Sequence, residues 1–221
     1  MNIIQYQNAM TPDESTQHYF DIVVDWGEKR LRWGMQRMSK TIPIYFVTED
    51  KLNQQRHSIA FQKREELSEI FRHNREGYCD FEKFCDENID PLGLYFSQGI
   101  IQNAGPEIWV SYEKICRCCP GNTKYATLVI LTHELGHALL DPATSGRQPL
   151  AKWLEEPMAN FISLSYLDCA GPSRTSGSAR IEFARDFVSK QPTNYRQGLD
   201  IFDAFKECPI QAKAAFSPVL R

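Results

Sequence analysis

The stretch from 126 to 140, ATLVILTHELGHALL, is almost wholly apolar apart from two histidines and one glutamate. Asn122 or Thr123 can serve as its N-cap and Pro142 as its stop signal, so we predict a helix that ends near Leu140. A helix that is apolar on every face must be buried. Other elements therefore have to pack around it, and its polar side chains need partners in the interior.

Two of the five histidines in the chain, His133 and His137, lie four residues apart in this helix, and Glu134 follows the first of them. Residues i and i+4 share a helix face, so both imidazoles can direct a nitrogen to one metal ion. Glu134 is rotated by about 100° from His133, so it can reach a metal-activated water without ligating the metal. The HELGH pattern therefore predicts a centre for metal-assisted hydrolysis.

A zinc ion that keeps an open position needs a third protein ligand. The extended pattern HExxHxxGxxH is absent, because Leu140 and Ala143 stand where it requires glycine and histidine. No histidine follows His137, so an upstream histidine, a downstream carboxylate or a cysteine must complete the site. The best carboxylate is in WLEEPMANF, where Glu156 and Asn160 would share a helix face. Glu156 would ligate the metal while the Asn160 side chain accepts a hydrogen bond from a ligand histidine.

HELGH followed 19 residues later by the pattern E-x-x-A-N (Glu156, Ala159, Asn160) resembles the gluzincin zinc metallopeptidases. It is most similar to the small ImmA/IrrE-like group, in which phenylalanine follows this pattern as Phe161 does here. The resemblance covers roughly residues 93 to 169. It implies a zincin-like fold and hydrolysis of peptide bonds, with Glu134 as the catalytic base. The implied zinc ligands are His133, His137 and Glu156, and Asn160 would accept a hydrogen bond from one of the ligand histidines.

Two residues depart from the expected pattern, and two further parts of the site remain to be assigned. Glu155 could replace Glu156 as the ligand, and Pro157 would either kink the ligand helix or mark its first turn. An oxyanion stabiliser is also needed, for which Tyr166 and Tyr195 are candidates without support from their position. Metallopeptidases of this kind bind an extended substrate along a strand edge. The residues expected to form that edge are Ile108, Trp109, Val110 and Ser111.

Turn and cap signals organise the rest of the chain. The capping box Thr11-Pro12-Asp13-Glu14 predicts an N-terminal helix to about Met38. IPIYFV at 42 to 47 predicts a buried strand, and GLYFS and EIWVSY predict two neighbouring strands around the turn residues 103 to 106. Further helices are predicted over 50–74, 149–169, 178–189 and 193–206.

These elements predict an α+β fold, in which a small β-sheet packs on the HExxH helix and on a second, ligand-bearing helix. Extra helices are expected at both ends. We divide the chain into a metallopeptidase domain over 1–170, which includes the N-terminal helical extension, and a helical appendage over 171–221 packed on the same domain.

Composition narrows the choice of partners. The 25 basic and 28 acidic residues give a net charge of −3, which provides no general attraction to nucleic acid or to an anionic membrane. The chain shows no export signal and no run near 18 apolar residues, so we expect a cytoplasmic protein that acts on a protein or peptide substrate. Seven cysteines without an export signal indicate reduced thiols. The spacing of Cys116, Cys118 and Cys119 does not match a second zinc site.

Three other interpretations stay open at this point. A metal-stabilised regulatory or binding protein would hold zinc but show little or no general proteolysis. Peptide deformylase also uses HExxH, but its upstream cysteine motif is missing here. The histidines could also be hydrogen-bonded core residues in a chance match. Burying two imidazoles and a carboxylate without a metal costs on the order of several kcal/mol, which favours the metal.

Overall fold

The computed structural model describes residues 1–58, 91–97, 105–146, 150–169 and 174–206. Within these ranges the chain is mostly helical and contains one small mixed sheet, so the predicted α+β class is confirmed. The main core lies between one face of this sheet and the helices packed on it.

The sheet is built from strands of three or four residues that pair over long sequence distances. β1 (Ile3–Gln5) pairs in parallel with β2 (Ile44–Phe46), which lies within the predicted strand 42–47. β2 in turn pairs in parallel with β4 (Glu107–Val110). β3 (Gly93–Phe96) pairs antiparallel with β4, so the two neighbouring strands predicted from GLYFS and EIWVSY are confirmed. The order β1-β2-β4-β3 places β4 inside the sheet.

The helices of the described residues are, in chain order, α1 (Glu14–Leu31), α2 (Met35–Thr41), α3 (residues 49 to 58), α4 (Tyr112–Cys118), α5 (Thr123–Leu140), α6 (Pro142–Ser145), α7 (Lys152–Cys169), α8 (Arg174–Ser189) and α9 (Thr193–Lys206). α5 and α9 match their predicted bounds closely. α8 begins four residues before the predicted start at 178. The predicted helix over 50–74 lies partly outside the described residues, and its described part is helical.

The N-terminal region differs from its prediction at both ends of the first helix. Asp13, and not Thr11, is the N-cap, because its carboxylate accepts a backbone hydrogen bond of 2.7 Å within the first turn. The predicted helix to Met38 was wrong, since α1 ends at Leu31. Gly34 then takes a left-handed backbone conformation with φ of 98°, which glycine adopts without a steric penalty.

Helix α5 lies between the sheet and α7, and most of its residues are buried. A Cβ on Gly136 would stand 3.0 Å from the Ala159 carbonyl oxygen, so glycine lets the backbones of α5 and α7 approach closely. The hydroxyls of Thr132 and Ser163 meet between the same two helices at 2.6 Å. This close packing fixes the position of one helix relative to the other.

Helix α7 is packed on several sides by other helices. α1, α5, α8 and α9 all contact it, so the C-terminal helices belong to the same packed core as the HELGH helix. Pro157 lies inside α7 rather than at its start. Among the described residues, no helix is long and apolar enough to cross a membrane.

Candidate metal centre

One face of α5 presents both histidines toward α7. The rings of His133 and His137 meet edge to face with centroids 4.7 Å apart, and their Nε2 atoms are 3.1 Å apart. Their side chains are only 13% and 17% exposed. The four-residue spacing on one helix therefore brings two nitrogen ligands to a single point, largely shielded from solvent.

Glu156, in the N-terminal part of α7, completes the group. Its Oε2 lies 3.3 Å from His133 Nε2 and 3.4 Å from His137 Nε2. Ligands bound to one zinc ion at about 2.0–2.1 Å in a tetrahedron stand roughly 3.3–3.4 Å from each other. The observed triangle therefore fits an ion of that size. Among the described residues, His133, His137 and Glu156 form the group that could hold a metal ion.

The electrostatics of this triangle call for a cation. Glu156 Oε2 is buried and makes no hydrogen bond to the residues that the structure describes. Burial raises the pKa of the Glu156 carboxyl, but His137 and His133 lower it by more, so the net pKa lies well below its ordinary value. Burial also lowers the pKa of His137, while the Glu156 carboxylate raises it to a net increase. A buried carboxylate without a donor is costly, and either a proton or a metal ion between the three ligand atoms removes that cost.

Glu134 lies beside this triangle and faces strand β3. A Cβ on Gly93 would stand 3.0 Å from Glu134 Oε1, so only glycine leaves room for this carboxylate against the strand. Burial raises the pKa of Glu134 to about 7; His133 lowers it, Glu156 raises it, and a hydrogen bond from the Tyr95 backbone N–H lowers it. The structure thus places a buried carboxylate of increased basicity next to the candidate ligands.

Asn160, one turn beyond Glu156 on α7, lies behind His133. Its Oδ1 is 2.8 Å from His133 Nδ1, and its Nδ2 donates a hydrogen bond of 3.0 Å to the backbone carbonyl of Tyr195. This is the position proposed for Asn160 from the sequence. A partner of this kind orients the ring of a ligand histidine.

The structure shows which of the remaining candidates, Glu155, Tyr166 and Tyr195, lies at the metal group. Glu155 is exposed and lies outside the ligand triangle. The Tyr195 ring stacks on His133 at 6.2 Å, and its pKa is raised by burial and by the nearby Glu156 and Glu134. Tyr166 is fully buried elsewhere, where its hydroxyl donates to Glu28 at 2.8 Å. Of the two candidates, Tyr195 is therefore the one that lies at this site.

The predicted substrate edge needs correction. Ile108, Trp109 and Val110 belong to β4, which is paired on both sides by β2 and β3, and Ser111 is completely buried. Their main-chain groups are therefore not available as an edge. The strand beside Glu134 is β3, which terminates the sheet formed by the described residues. The prediction failed because β1 and β2 extend the sheet beyond β4 through pairings remote in sequence.

Sequence reasoning did not identify Gly93 or Gly198 as residues that shape the site. Gly93 makes room for Glu134, and Gly198 brings α9 against α7 near Asn160. An isolated glycine within a strand or helix pattern signals close backbone approach, and this signal was available at both positions.

The cysteine cluster lies away from the described metal group. Cys116 and Cys118 are on α4 and Cys119 follows it, and all three are free thiols. Burial and the neighbouring Cys118 raise the pKa of Cys119, which lowers its reactivity. Two further cysteines, Cys79 and Cys85, lie outside the described residues.

The fold and the site thus define a mostly helical α+β protein with a candidate two-histidine, one-carboxylate metal centre. Comparison with protein-family models, curated proteins and solved structures finds no match to this chain.

Proposed function

We propose that this protein is a zinc-dependent metallopeptidase of the gluzincin type. The observation that carries the proposal is the triangle of His133, His137 and Glu156, with ligand-to-ligand distances of 3.1 to 3.4 Å and a buried carboxylate oxygen that makes no hydrogen bond to the described residues. The resemblance of HELGH and E-x-x-A-N to that class supports the same function. The finer assignment, to the small ImmA/IrrE-like group, rests on that resemblance alone.

The residues around the triangle suit the hydrolysis of a peptide bond. His133, His137 and Glu156 would hold a zinc ion there, which would supply a Lewis acid and lower the pKa of a bound water molecule to about 7. Glu134 takes the proton from the attacking water and returns it to the leaving nitrogen, and its buried position makes it a stronger base. Asn160 holds His133 in orientation, and the Tyr195 hydroxyl lies beside Glu156 as a donor for the developing negative charge.

Strand β3 is the element on which we place the substrate backbone. The Ser111 N–H donates a hydrogen bond of 3.1 Å to the Leu92 carbonyl, so by the antiparallel alternation the main-chain groups of Gly93 and Tyr95 face away from β4. The Tyr95 N–H points to Glu134 on that side. The Tyr95 hydroxyl donates a hydrogen bond of 2.6 Å to the Asp141 carboxylate. An extended peptide added at this edge would lie along the catalytic carboxylate.

The first experiment measures metal content by elemental mass spectrometry on protein purified without chelators. We expect about one zinc per chain in the wild type and a large loss in Glu156→Ala. Glu155→Ala is the matched control, because this neighbouring carboxylate lies outside the triangle. Equal zinc content in the two variants would remove Glu156 from the ligand set.

The second experiment separates catalysis from metal binding. Glu134→Gln should retain zinc and lose about 10²- to 10⁴-fold in the cleavage rate of a fluorescence-quenched peptide library. Wild-type activity in Glu134→Gln would contradict a role for Glu134 as the catalytic base. Zinc binding with no cleavage by the wild type would instead support a metal-stabilised regulatory protein.

A further inference from the structure

Helix α9 approaches α7 most closely at the turn that carries the third ligand. A Cβ on Gly198 would stand 2.5 Å from the Pro157 carbonyl oxygen and 2.6 Å from Asn160 Cβ. Real Cβ atoms do not tolerate such distances to backbone, so any other residue would force the two helices apart. Glycine at 198 therefore sets how near α9 lies to the segment from Glu156 to Asn160.

This close approach determines which way the Asn160 amide faces. The Tyr195 carbonyl can only accept a hydrogen bond, so the Asn160 Nδ2 must face it, at 3.0 Å. The Asn160 Oδ1 is then left to face His133 Nδ1, at 2.8 Å. An amide oxygen can only accept, so Nδ1 of His133 carries the hydrogen and its Nε2 keeps a lone pair. That Nε2 is the atom directed at His137 and Glu156.

We propose that α9 is part of the metal centre and that Gly198 and Tyr195 are positioning residues, which set the tautomer of His133 through Asn160. This inference rests on the proposed metal site and extends it, since neither sequence motif includes any residue of α9. The C-terminal helix thus prepares one of the ligands for metal before any metal binds. Loss of such an outer partner costs about 10- to 100-fold in metal affinity.

A matched control exists on the other side of α7. Gly27 on α1 also lets a helix approach α7, and a Cβ there would overlap the ring of Tyr166. Tyr166 donates its hydroxyl to Glu28 and lies outside the ligand triangle. Gly27→Ala therefore disturbs the packing of α7 without touching Asn160, His133 or Tyr195.

The experiment compares Gly198→Ala with Gly27→Ala by zinc competition against a chromophoric chelator. We expect Gly198→Ala to bind zinc about 10- to 100-fold more weakly than the wild type and Gly27→Ala to bind it with unchanged affinity. The ring nitrogens of His133 are also followed by ¹⁵N NMR in metal-free protein at about pH 9, where imidazoles are neutral. We expect a single Nδ1–H tautomer in the wild type and Gly27→Ala, and a mixture in Gly198→Ala.

A double mutant separates orientation of the amide from a loss of packing. In Asn160→Asp both carboxylate oxygens can accept from His133, so the orientation supplied by Tyr195 is no longer needed. Adding Gly198→Ala to Asn160→Asp should therefore lower zinc affinity less than it does in the wild type. An undiminished loss would mean that the glycine acts through packing alone and would overturn the proposal.

Further outcomes also test the role of α9. Equal weakening by both glycine variants, or a Gly198→Ala protein with wild-type affinity and tautomer, would overturn the proposal while leaving the metal site intact. If the wild type binds no zinc, the metal assignment fails, and the tautomer comparison still tests the role of α9. If Gly198→Ala does not fold, the wild-type spectrum decides alone, because an Nε2–H tautomer of His133 contradicts the proposal.

Discussion

Glu28 of α1 packs against helix α7 and Glu156 belongs to α7, and the protein surrounds these two carboxylates with different partners. Glu28 has both oxygens hydrogen-bonded, since the Gly34 N–H lies 3.0 Å from each of them and the Tyr166 hydroxyl donates to Oε2 at 2.8 Å. Glu156 has a buried Oε2 without a hydrogen-bond partner among the described residues, and this atom lies 3.3 Å from His133 Nε2 and 3.4 Å from His137 Nε2.

The difference shows how a structural carboxylate can be told from one that awaits a ligand. Neutral N–H and O–H donors from the chain itself complete the shell of Glu28, so that carboxylate stabilises the packing of α1 on α7. Glu156 Oε2 instead faces the Nε2 atoms of His133 and His137, and a proton or a metal ion held between the three atoms completes its shell. The two acids should therefore respond differently to zinc, to mutation and to pH.

The largest expected effect is the stabilisation of the protein by zinc. At a zinc concentration of about 100 times the dissociation constant, the free energy of unfolding should rise by about 2.7 kcal/mol in the wild type and in Glu28→Gln. Glu156→Ala should show no such rise, because a ligand is missing. Urea unfolding with and without zinc measures both values. If zinc raised the free energy of unfolding of Glu156→Ala as much as that of the wild type, Glu156 would not be a zinc ligand.

The second effect concerns Glu28 itself. In Glu28→Gln one carboxylate oxygen becomes an NH₂ group, which opposes the Gly34 N–H and leaves a donor unsatisfied. We expect the free energy of unfolding to fall by about 1–3 kcal/mol, by the same amount with zinc and with a chelator. Denaturant midpoints measure the loss. If the variant also lost zinc affinity, the two carboxylates would not be functionally separate.

The smallest expected effect is on the pH dependence of stability and concerns a third buried carboxylate, Glu107. Unlike Glu156, it lies outside the metal group, on strand β4. It is 7% exposed and accepts a hydrogen bond of 2.8 Å from the Trp109 indole. Burial raises its pKa and the Trp109 hydrogen bond lowers it, with a net rise above 4.5. A carboxyl with a raised folded-state pKa destabilises the fold progressively as pH rises from 4.5 through that pKa.

Glu107→Gln keeps the Trp109 hydrogen bond and removes this ionisation. Its stability relative to the wild type should therefore increase from about pH 4 to about pH 8. Urea unfolding of both proteins at the two pH values tests the sign. A relative stability that decreases with pH would mean that the ionised form of Glu107 is the better accommodated one.

Several features of the site could be predicted because they depend on local geometry. His133 and His137 converge because residues four apart share a helix face, and Glu156 and Asn160 share a face of α7 for the same reason. Helix α5 begins and ends where the sequence predicts, at Thr123 and Leu140, although the Asn122 side chain makes no capping hydrogen bond. The end of α1 was missed, because a backbone reversal at Arg32 and Gly34 interrupts a continuous helical pattern.

The sequence by itself therefore determined which side chains of each helix point together, since helical periodicity is a property of consecutive residues. Only the tertiary structure decided that Glu156 and not Glu155 faces the histidines, because that depends on the rotation of α7 against α5. It also decided that β4 is interior and that α9 reaches Asn160 through Gly198. These arrangements arise from pairing and packing between distant segments, which no local pattern encodes.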